Sequence, residues 1–337
     1  MKSLYLFMLA FLLTYHPSFA QETESSEKEN ALTLSGSVDV YYRYNLKGDF
    51  DSAPGTSFAN LPGFSLGMAN LNLSKEFKST GIVGDFVLGP RGEDATFLSP
   101  ILRPGGNSSI VNQLYVYWNL SESFTLTLGN FNTFLGYEVI SPVDNFNYST
   151  SYLFSYGPFS HTGVKMDYTA SNGFSFMVGV FNSTDATEYN PTNDYAVGGQ
   201  VGYTFGTGSI YLNTLVSSDF YQFDITGGID FTDKLYWGIN ASTAKDAFYG
   251  AATYIKYGAT SDLDIGTRLE YFKDKGVEAI GLDASVVDLS LSANYRVGNL
   301  TFIPEFRIDM SSENIFSDDT QMNDSLSSVI LAAVYSF

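Results

Sequence analysis

Ser328-Val329-Ile330-Leu331-Ala332-Ala333-Val334-Tyr335-Ser336-Phe337 closes the chain, and its period decides how the rest is read. Val329, Leu331, Ala333, Tyr335 and Phe337 fall on one face of an extended segment, because side chains alternate across a strand. The same period recurs upstream. Leu32, Leu34, Val38, Val40, Tyr42 and Tyr44 share a face between about 31 and 45, opposite Thr33, Ser35, Ser37, Asp39 and Arg43. Phe174, Phe176, Val178 and Val180, then Phe223, Ile225, Ile229 and Phe231, repeat the pattern. So do Leu263, Ile265, Leu269 and Tyr271, and Val287, Leu289, Leu291 and Tyr295. No convincing helical pattern interrupts them. Alternation in many short segments without helices predicts an all-β fold, a transmembrane antiparallel β-barrel.

The connections separate a barrel from a sandwich. Short turns are expected near 78–80, 121–123, 170–173, 206–208, 232–234, 260–262 and 297–299. Between them lie mostly longer links, near 45–63, 89–109, 132–160, 183–194, 217–221, 244–247, 273–285 and 310–325. Seven turns and eight loops predict sixteen strands with both ends on the turn side, the arrangement of barrels with short periplasmic turns and longer external loops. Alternation fails around Leu66 and Ala251, so fourteen strands is the alternative. Phe77, Trp118, Phe124, Tyr168, Phe174, Tyr203, Phe205, Phe231, Tyr257, Tyr295 and Phe337 flank the turns as an aromatic girdle at the headgroup layer.

The first residues read as an export signal. Lys2 gives a positive start, Leu4 to Tyr15 an apolar stretch, and Ser18-Phe19-Ala20 a cleavage site, so 1–20 is expected to be removed. The apolar stretch is shorter than the roughly 20 residues a membrane helix needs. Residues 21–30 read as a polar periplasmic lead. A net charge of −19 argues against nucleic acid, which demands basic patches. The absence of cysteine leaves neither a disulfide framework nor a lipidated cysteine. The expected surroundings are outer-membrane lipid and, in the cell, the barrel assembly machinery, with Leu331, Tyr335 and Phe337 as the assembly signal.

The segment Gly129-Asn130-Phe131-Asn132-Thr133-Phe134-Leu135-Gly136-Tyr137-Glu138-Val139-Ile140 leaves the fifth strand and loses the period. It runs on through Asn145, Tyr148-Ser149 and Ser151-Tyr152-Leu153-Phe154 to His161-Thr162-Gly163-Val164. This stretch resembles the core of the β-barrel porin-2 (OmpL-like) family of Gram-negative outer-membrane proteins. The resemblance is most specific over about 129–164 and extends loosely over 31–337. It implies a channel-forming barrel and no particular solute.

Read by itself, the third loop, 132–160, is far longer than a hairpin requires, and irregular backbone at membrane depth survives only within protein or beside a water-filled lumen. An inward fold that narrows a pore is expected, with Glu138, Asp144, Tyr137 and Tyr148 as constriction candidates. The rival is an external lid packed by its own rings. Strand phase points Asp39, Asp85, Asp167, Asp224, Asp230, Asp264, Glu270, Asp288, Glu305 and Asp309 inward, with Arg43, Lys165, Lys256, Arg268, Arg296 and Arg307. Lys165 with Asp167, Arg268 with Glu270, and Glu305 with Arg307 read as pairs bracing a wet wall. The surplus of acids predicts weak cation selectivity, because carboxylates lower the energy of a confined cation.

The expectation is therefore an outer-membrane porin for passive diffusion of small polar solutes or cations, a homotrimer being plausible. Two other classes stay open: a plugged structural or adhesive barrel, and a barrel enzyme such as a lipase or protease. The latter would have to use His161, the one histidine outside the signal segment, whose neighbours Ser160 and Thr162 diverge from it on a strand. No cofactor is expected and no metal constellation is seen; Asp318, Asp319 and Asp324 offer at most a weak calcium site.

Overall fold

In a computed structural model the described residues are 31–98, 108–190, 193–276, 283–318 and 321–337. The expected signal and lead, 1–20 and 21–30, lie outside them, as does Asp319. Fifteen strands come first: β1 (Thr33–Lys47), β2 (Gly63–Phe77), β3 (Thr80–Leu88), β4 (Val111–Asn119), β5 (Phe124–Asn132), β6 (Ser160–Thr169), β7 (Phe174–Phe181) and β8 (Ala196–Phe205). They continue as β9 (Gly208–Val216), β10 (Tyr221–Thr232), β11 (Leu235–Ala244), β12 (Phe248–Gly258), β13 (Leu263–Asp274), β14 (Ser285–Val297) and β15 (Leu300–Ser311). A small hairpin, β16 (Phe316–Asp318) and β17 (Gln321–Asn323), precedes β18 (Ser325–Ser336).

Each of β1–β15 pairs antiparallel with its sequence neighbour, β18 pairs with β15, and β18 returns to β1 to close a sixteen-stranded barrel. The fourteen-strand alternative falls away. Closure leaves no open edge, so no strand presents an unpaired side at membrane depth. Phe337 completes the seam: its N–H donates to the Gly36 carbonyl and its carbonyl accepts from the Gly36 N–H, both at 3.0 Å.

The two irregular places have separate causes. A bulge in β2 sets Gly67 and Met68 against the single residue Asp39 of β1, between the pairs Val40–Leu66 and Val38–Ala69, and shifts the register. Around Ala251 the ladder is regular, and alternation is lost only because Gly250 and Ala252 face inward. Among the described residues two short α-helices sit in the links, contrary to the helix-free reading: α1 (Pro90–Ala95) and α2 (Tyr152–Tyr156). None is long and apolar enough to cross a membrane, and the crossing is made by strands.

Outward positions carry Val38, Leu71, Ile82, Leu114, Val116, Val178, Leu212, Ile265 and Leu291, all exposed. The expected girdle residues Phe77, Trp118, Phe124, Phe174, Tyr203, Phe205, Phe231, Tyr257, Tyr295 and Phe337 are exposed at the turn ends. Leu331 and Tyr335 share that outer face. The barrel is thus apolar outside and polar within, the reverse of a soluble protein.

Candidate functional site

Residues 133–159, between β5 and β6, turn into the barrel and run along its inner wall. Non-ladder backbone in that position must find partners on the wall, since unpaired buried N–H groups are expensive. The neck is closed by the Thr133 N–H donating to the Phe159 carbonyl (2.9 Å) and by Thr133 Oγ1 bonded to His161 Nε2 (2.9 Å). Phe134 packs on the rings of His161 and Phe181. His161 is fully buried there as an anchor for the loop end.

The carboxylates of the wall then take the loop's backbone amides. Asp224 accepts from the Gly136 N–H at 3.0 Å. Glu305 accepts from Tyr148 (2.8 Å) and Ser149 (3.2 Å), and Glu270 from Tyr152 (2.8 Å) and Leu153 (2.7 Å) at the start of α2. Asp185, in the link after β7, accepts from Phe159 (2.6 Å) and Ser160 (2.8 Å). Burial pushes the Asp185 carboxyl up to about 6, against the downward pull of those amides and Thr184. Within the loop, Glu138 accepts from the Ser151 N–H at 2.7 Å.

Cations of the wall take the loop's other acceptors. Arg268 donates to Glu138 (2.7 Å), to the Ser149 carbonyl (2.7 Å) and to Asp288 (2.8 Å). Arg307 donates to the Thr150 carbonyl (2.8 Å) and pairs with Asp288 (3.0 Å) and Asp309 (2.8 Å). Arg268 and Arg307 are 0% and 1% exposed, so this network is dry. Of the three same-strand pairs expected, Lys165–Asp167 forms (2.6 Å), whereas Glu270 and Glu305 turn to the loop instead of to Arg268 and Arg307. The reason is that two peptide N–H groups per carboxylate have no other partner there.

Apolar packing follows the same course. Four buried clusters lie inside the barrel, and each contains loop residues: Tyr152 and Leu153 with Phe248, Phe272 and Val286; Tyr148 with Tyr41, Ile303 and Ile330; Ile140, Phe154 and Phe159 with Phe58 and Val87; Leu135 with Phe131 and Phe181. Burying each such side chain contributes roughly 1.5–3 kcal/mol. Inward glycines make room. A Cβ on Gly198 would strike Phe134, on Gly238 Tyr137, and on Gly266 Phe146, while one on Gly250 would crowd Leu153. Tyr137 also stacks on Tyr254 at 4.2 Å and bonds the Tyr236 hydroxyl at 2.7 Å.

The constriction candidates divide accordingly. Glu138 (6% exposed) and Tyr148 (1%) are built into the wall contacts, Tyr148 bonding Asp39, and Tyr137 is half-buried. Asp144 alone of the four is exposed. Burial among surrounding protein atoms raises its carboxyl above the ordinary value; Ser141 opposes that shift and the nearby charge of Asp85 adds to it. Asp85 is itself held by Asn112 (2.6 Å), Gln113 (3.1 Å) and Asn70. Arg43 is buried and donates to the Asn60 carbonyl. Toward the turns the inner wall is less covered: Lys165 and Asp167 are partly exposed, Asp230 is exposed, and Arg296 pairs with Asp264.

Arg91 was not among the sequence candidates. From α1 it donates to the carbonyls of Ile140 (2.9 Å) and Tyr148 (3.2 Å) and lies over the Phe58 ring, bracing both limbs of the loop. Its place in a link hid it from strand phase. The glycines did leave a trace, since a glycine inside a strand marks a close approach. Among the described residues no group of His, Asp or Glu suits a metal ion.

Known proteins agree with this geometry. The chain matches the outer-membrane channel DcaP of Acinetobacter baumannii over 93% of its own length and 99% of that chain, with 14% identity and a TM-score of 0.61. OprB of Pseudomonas putida gives 14% identity, a TM-score of 0.64 and coverage of 92% and 95%. Vibrio cholerae OmpT in its trimer form gives 14%, 0.54, 91% and 99%. At such identities the likeness is one of fold. No curated protein sequence matches. The profile of the family described as "Putative beta-barrel porin-2, OmpL-like" matches residues 31–337. With a closed sixteen-stranded barrel over that same span, the chain belongs to this family of outer-membrane porins.

Proposed function

We propose that the protein passes small hydrophilic solutes by passive diffusion, that residues 133–159 set its aperture, and that it is weakly cation-selective. The observation that carries this reading is the loop itself, tied to the wall on both of its limbs while its tip leaves Asp144 facing water near Asp85. Most inward acids are buried and already partnered, by loop amides (Asp224, Glu270, Glu305), by side-chain amides (Asp85) or by arginines (Asp288, Asp309), so selectivity rests on the few left toward water: Asp144, Asp167, Asp230 and Asp264. Lys165, Lys256 and Arg296 offset these, and a modest preference results.

Single-channel recording of the refolded protein across a salt gradient tests this. Stable steps with a cation-favouring reversal potential are expected, and Asp144→Asn should move that potential toward zero. A chloride-favouring potential would refute the selectivity. The four apolar clusters favour a second reading, a plugged barrel, which native circular dichroism without conductance would establish. The reading includes export by a cleaved 1–20 segment, assembly through Leu331, Tyr335 and Phe337, and a homotrimer, the form recorded for OmpT. His161 serves as an anchor, and no catalytic role is assigned to it.

A further inference from the structure

Along β12 the outward residues between Tyr257 and Tyr249 are Ile255, Thr253 and Ala251; along β13, between Leu263 and Tyr271, they are Ile265, Thr267 and Leu269. Neither run contains a charge. Each covers about eight residue steps, roughly 26 Å of strand at about 3.3 Å per step, or ~20 Å of height at the usual tilt, close to the apolar band of such barrels. Tyr249 and Tyr271, both exposed and with ring centres 6.3 Å apart, therefore mark the loop-side headgroup level, one band above the turn-side girdle at Tyr257.

Cations gather one step beyond these rings. Among the described residues, the lysines outside the lumen on the loop side are Lys47, Lys245, Lys273 and Lys275, and the last three stand at the ends of β11 and β13. Contacts tie them together. The Lys275 N–H donates to the Ala247 carbonyl at 2.8 Å, and the Lys275 ammonium donates to the carbonyl of Ala244, the residue before Lys245, at 3.2 Å. That ammonium lies 5.7 Å from the Tyr249 ring centre. The Lys245 N–H donates to the Tyr221 carbonyl at 2.9 Å, which brings a third exposed tyrosine beside it. Of the nearby acids, Asp283 is held by Lys273 at 2.8 Å and Asp274 is fully buried, while Asp219 and Asp246 are exposed in the adjoining links. The rim is thus no broad basic field. It presents two neighbouring ammonium groups, Lys245 and Lys275, among tyrosines at headgroup depth, and Lys275 keeps donors to spare after Ala244.

We infer that Lys245 and Lys275, flanked by Tyr221, Tyr249 and Tyr271, dock the phosphorylated sugar headgroup of an outer-leaflet glycolipid of the lipid A type. Phosphate oxygens accept charge-assisted bonds from the two ammonium groups, and the tyrosine rings lie against the sugar. Below the site Ala241 and Ala251 are directly opposite each other on β11 and β12, so the wall is low there and leaves room for acyl chains. The inference rests on the loops-outward placement in the outer membrane that belongs to the porin reading, and adds a lipid partner to it.

The test is native mass spectrometry of the refolded full chain in detergent, with lipid A as the probe. One lipid A per barrel should be retained. Lys245→Gln with Lys275→Gln should weaken retention about tenfold or more. The same change at the turn-side pair, Lys75→Gln with Lys78→Gln, should leave it unaltered. Lys245→Arg with Lys275→Arg should preserve it, and heat-modifiable mobility should show every variant folded. Equal retention of lipid A stripped of its phosphates, equal retention of phosphatidylglycerol, or release by millimolar inorganic phosphate would overturn the inference. So would loss from the turn-side pair instead. A barrel that conducts yet holds no lipid A overturns this inference and leaves the porin; one that holds lipid A without conducting overturns the porin reading alone.

Discussion

The two halves of the lumen solve opposite problems with similar residues. In the loop-side half, Arg268, Asp288, Arg307 and Asp309 are dry and locked to one another and to residues 133–159. In the turn-side half, Lys165 and Asp167 retain 23% and 26% side-chain exposure, and Arg296 retains 40% beside Asp264. Identical chemistry is a fixed support in the first and a wet lining in the second. What differs is only whether irregular backbone lies across it. A charge counted from sequence as lumen-facing thus has no fixed meaning until the loop is placed.

Arg268→Met should sharpen that contrast most. It leaves Glu138 buried without its cation and Asp288 with Arg307 alone, for which a loss of about 3–5 kcal/mol is expected. The heat-modifiability midpoint should drop and the open-channel current should become noisy. An unchanged midpoint would mean that the buried network is not what holds the loop.

Asp185 tests the clasp at the loop's end through pH. Its folded pKa, about 6, stands above the ordinary 3.8, so the folded state binds the proton more tightly. The group therefore favours the fold fully below about pH 4, and that contribution, ~3 kcal/mol at most, is lost as pH rises toward 6. Asp185→Asn keeps an acceptor for Phe159 and Ser160 and should flatten this part of the profile. Parallel wild-type and variant profiles would contradict the buried clasp.

Gly266→Val should cost about 1–3 kcal/mol by displacing Phe146 from its dent. The Asn294 bond to the Phe146 carbonyl should loosen with it, changing conductance as well as stability. Lys165→Met should do least. A partly exposed ion pair is worth under about 1 kcal/mol, so stability should hold while selectivity moves slightly. A large loss of stability there would erase the distinction between the halves.

The strands were legible because their signal is local: a period of two, broken by residues such as Ser121–Ser123 and Gly206–Gly208. The third loop was legible as length and lost period. Its path was not, because the contacts that set it join residues far apart, as when Glu305 takes the amide of Tyr148 across 157 positions. Strand phase put Glu270 on the inward face but could not tell a carboxylate facing water from one facing Tyr152 and Leu153. Arg91 lay in a link without period. Gly250 was visible as a break near Ala251, and its meaning as a seat for Leu153 needed the loop in place.

The seam between Gly36 and Phe337 bears on timing. The loop leaves β5 early in the chain, yet its seats on Glu270, Arg268, Ser292, Glu305 and Arg307 belong to β13–β15, and Tyr148 also reaches Asp39 of β1. Contacts of such sequence separation form late, after the entropy of long chain closure has been met. A half-built barrel can hold residues 133–159 only loosely. Joining Phe337 to Gly36 is then the event that shuts the wall around a segment made long before, and a chain that closed without it would trap an empty tube.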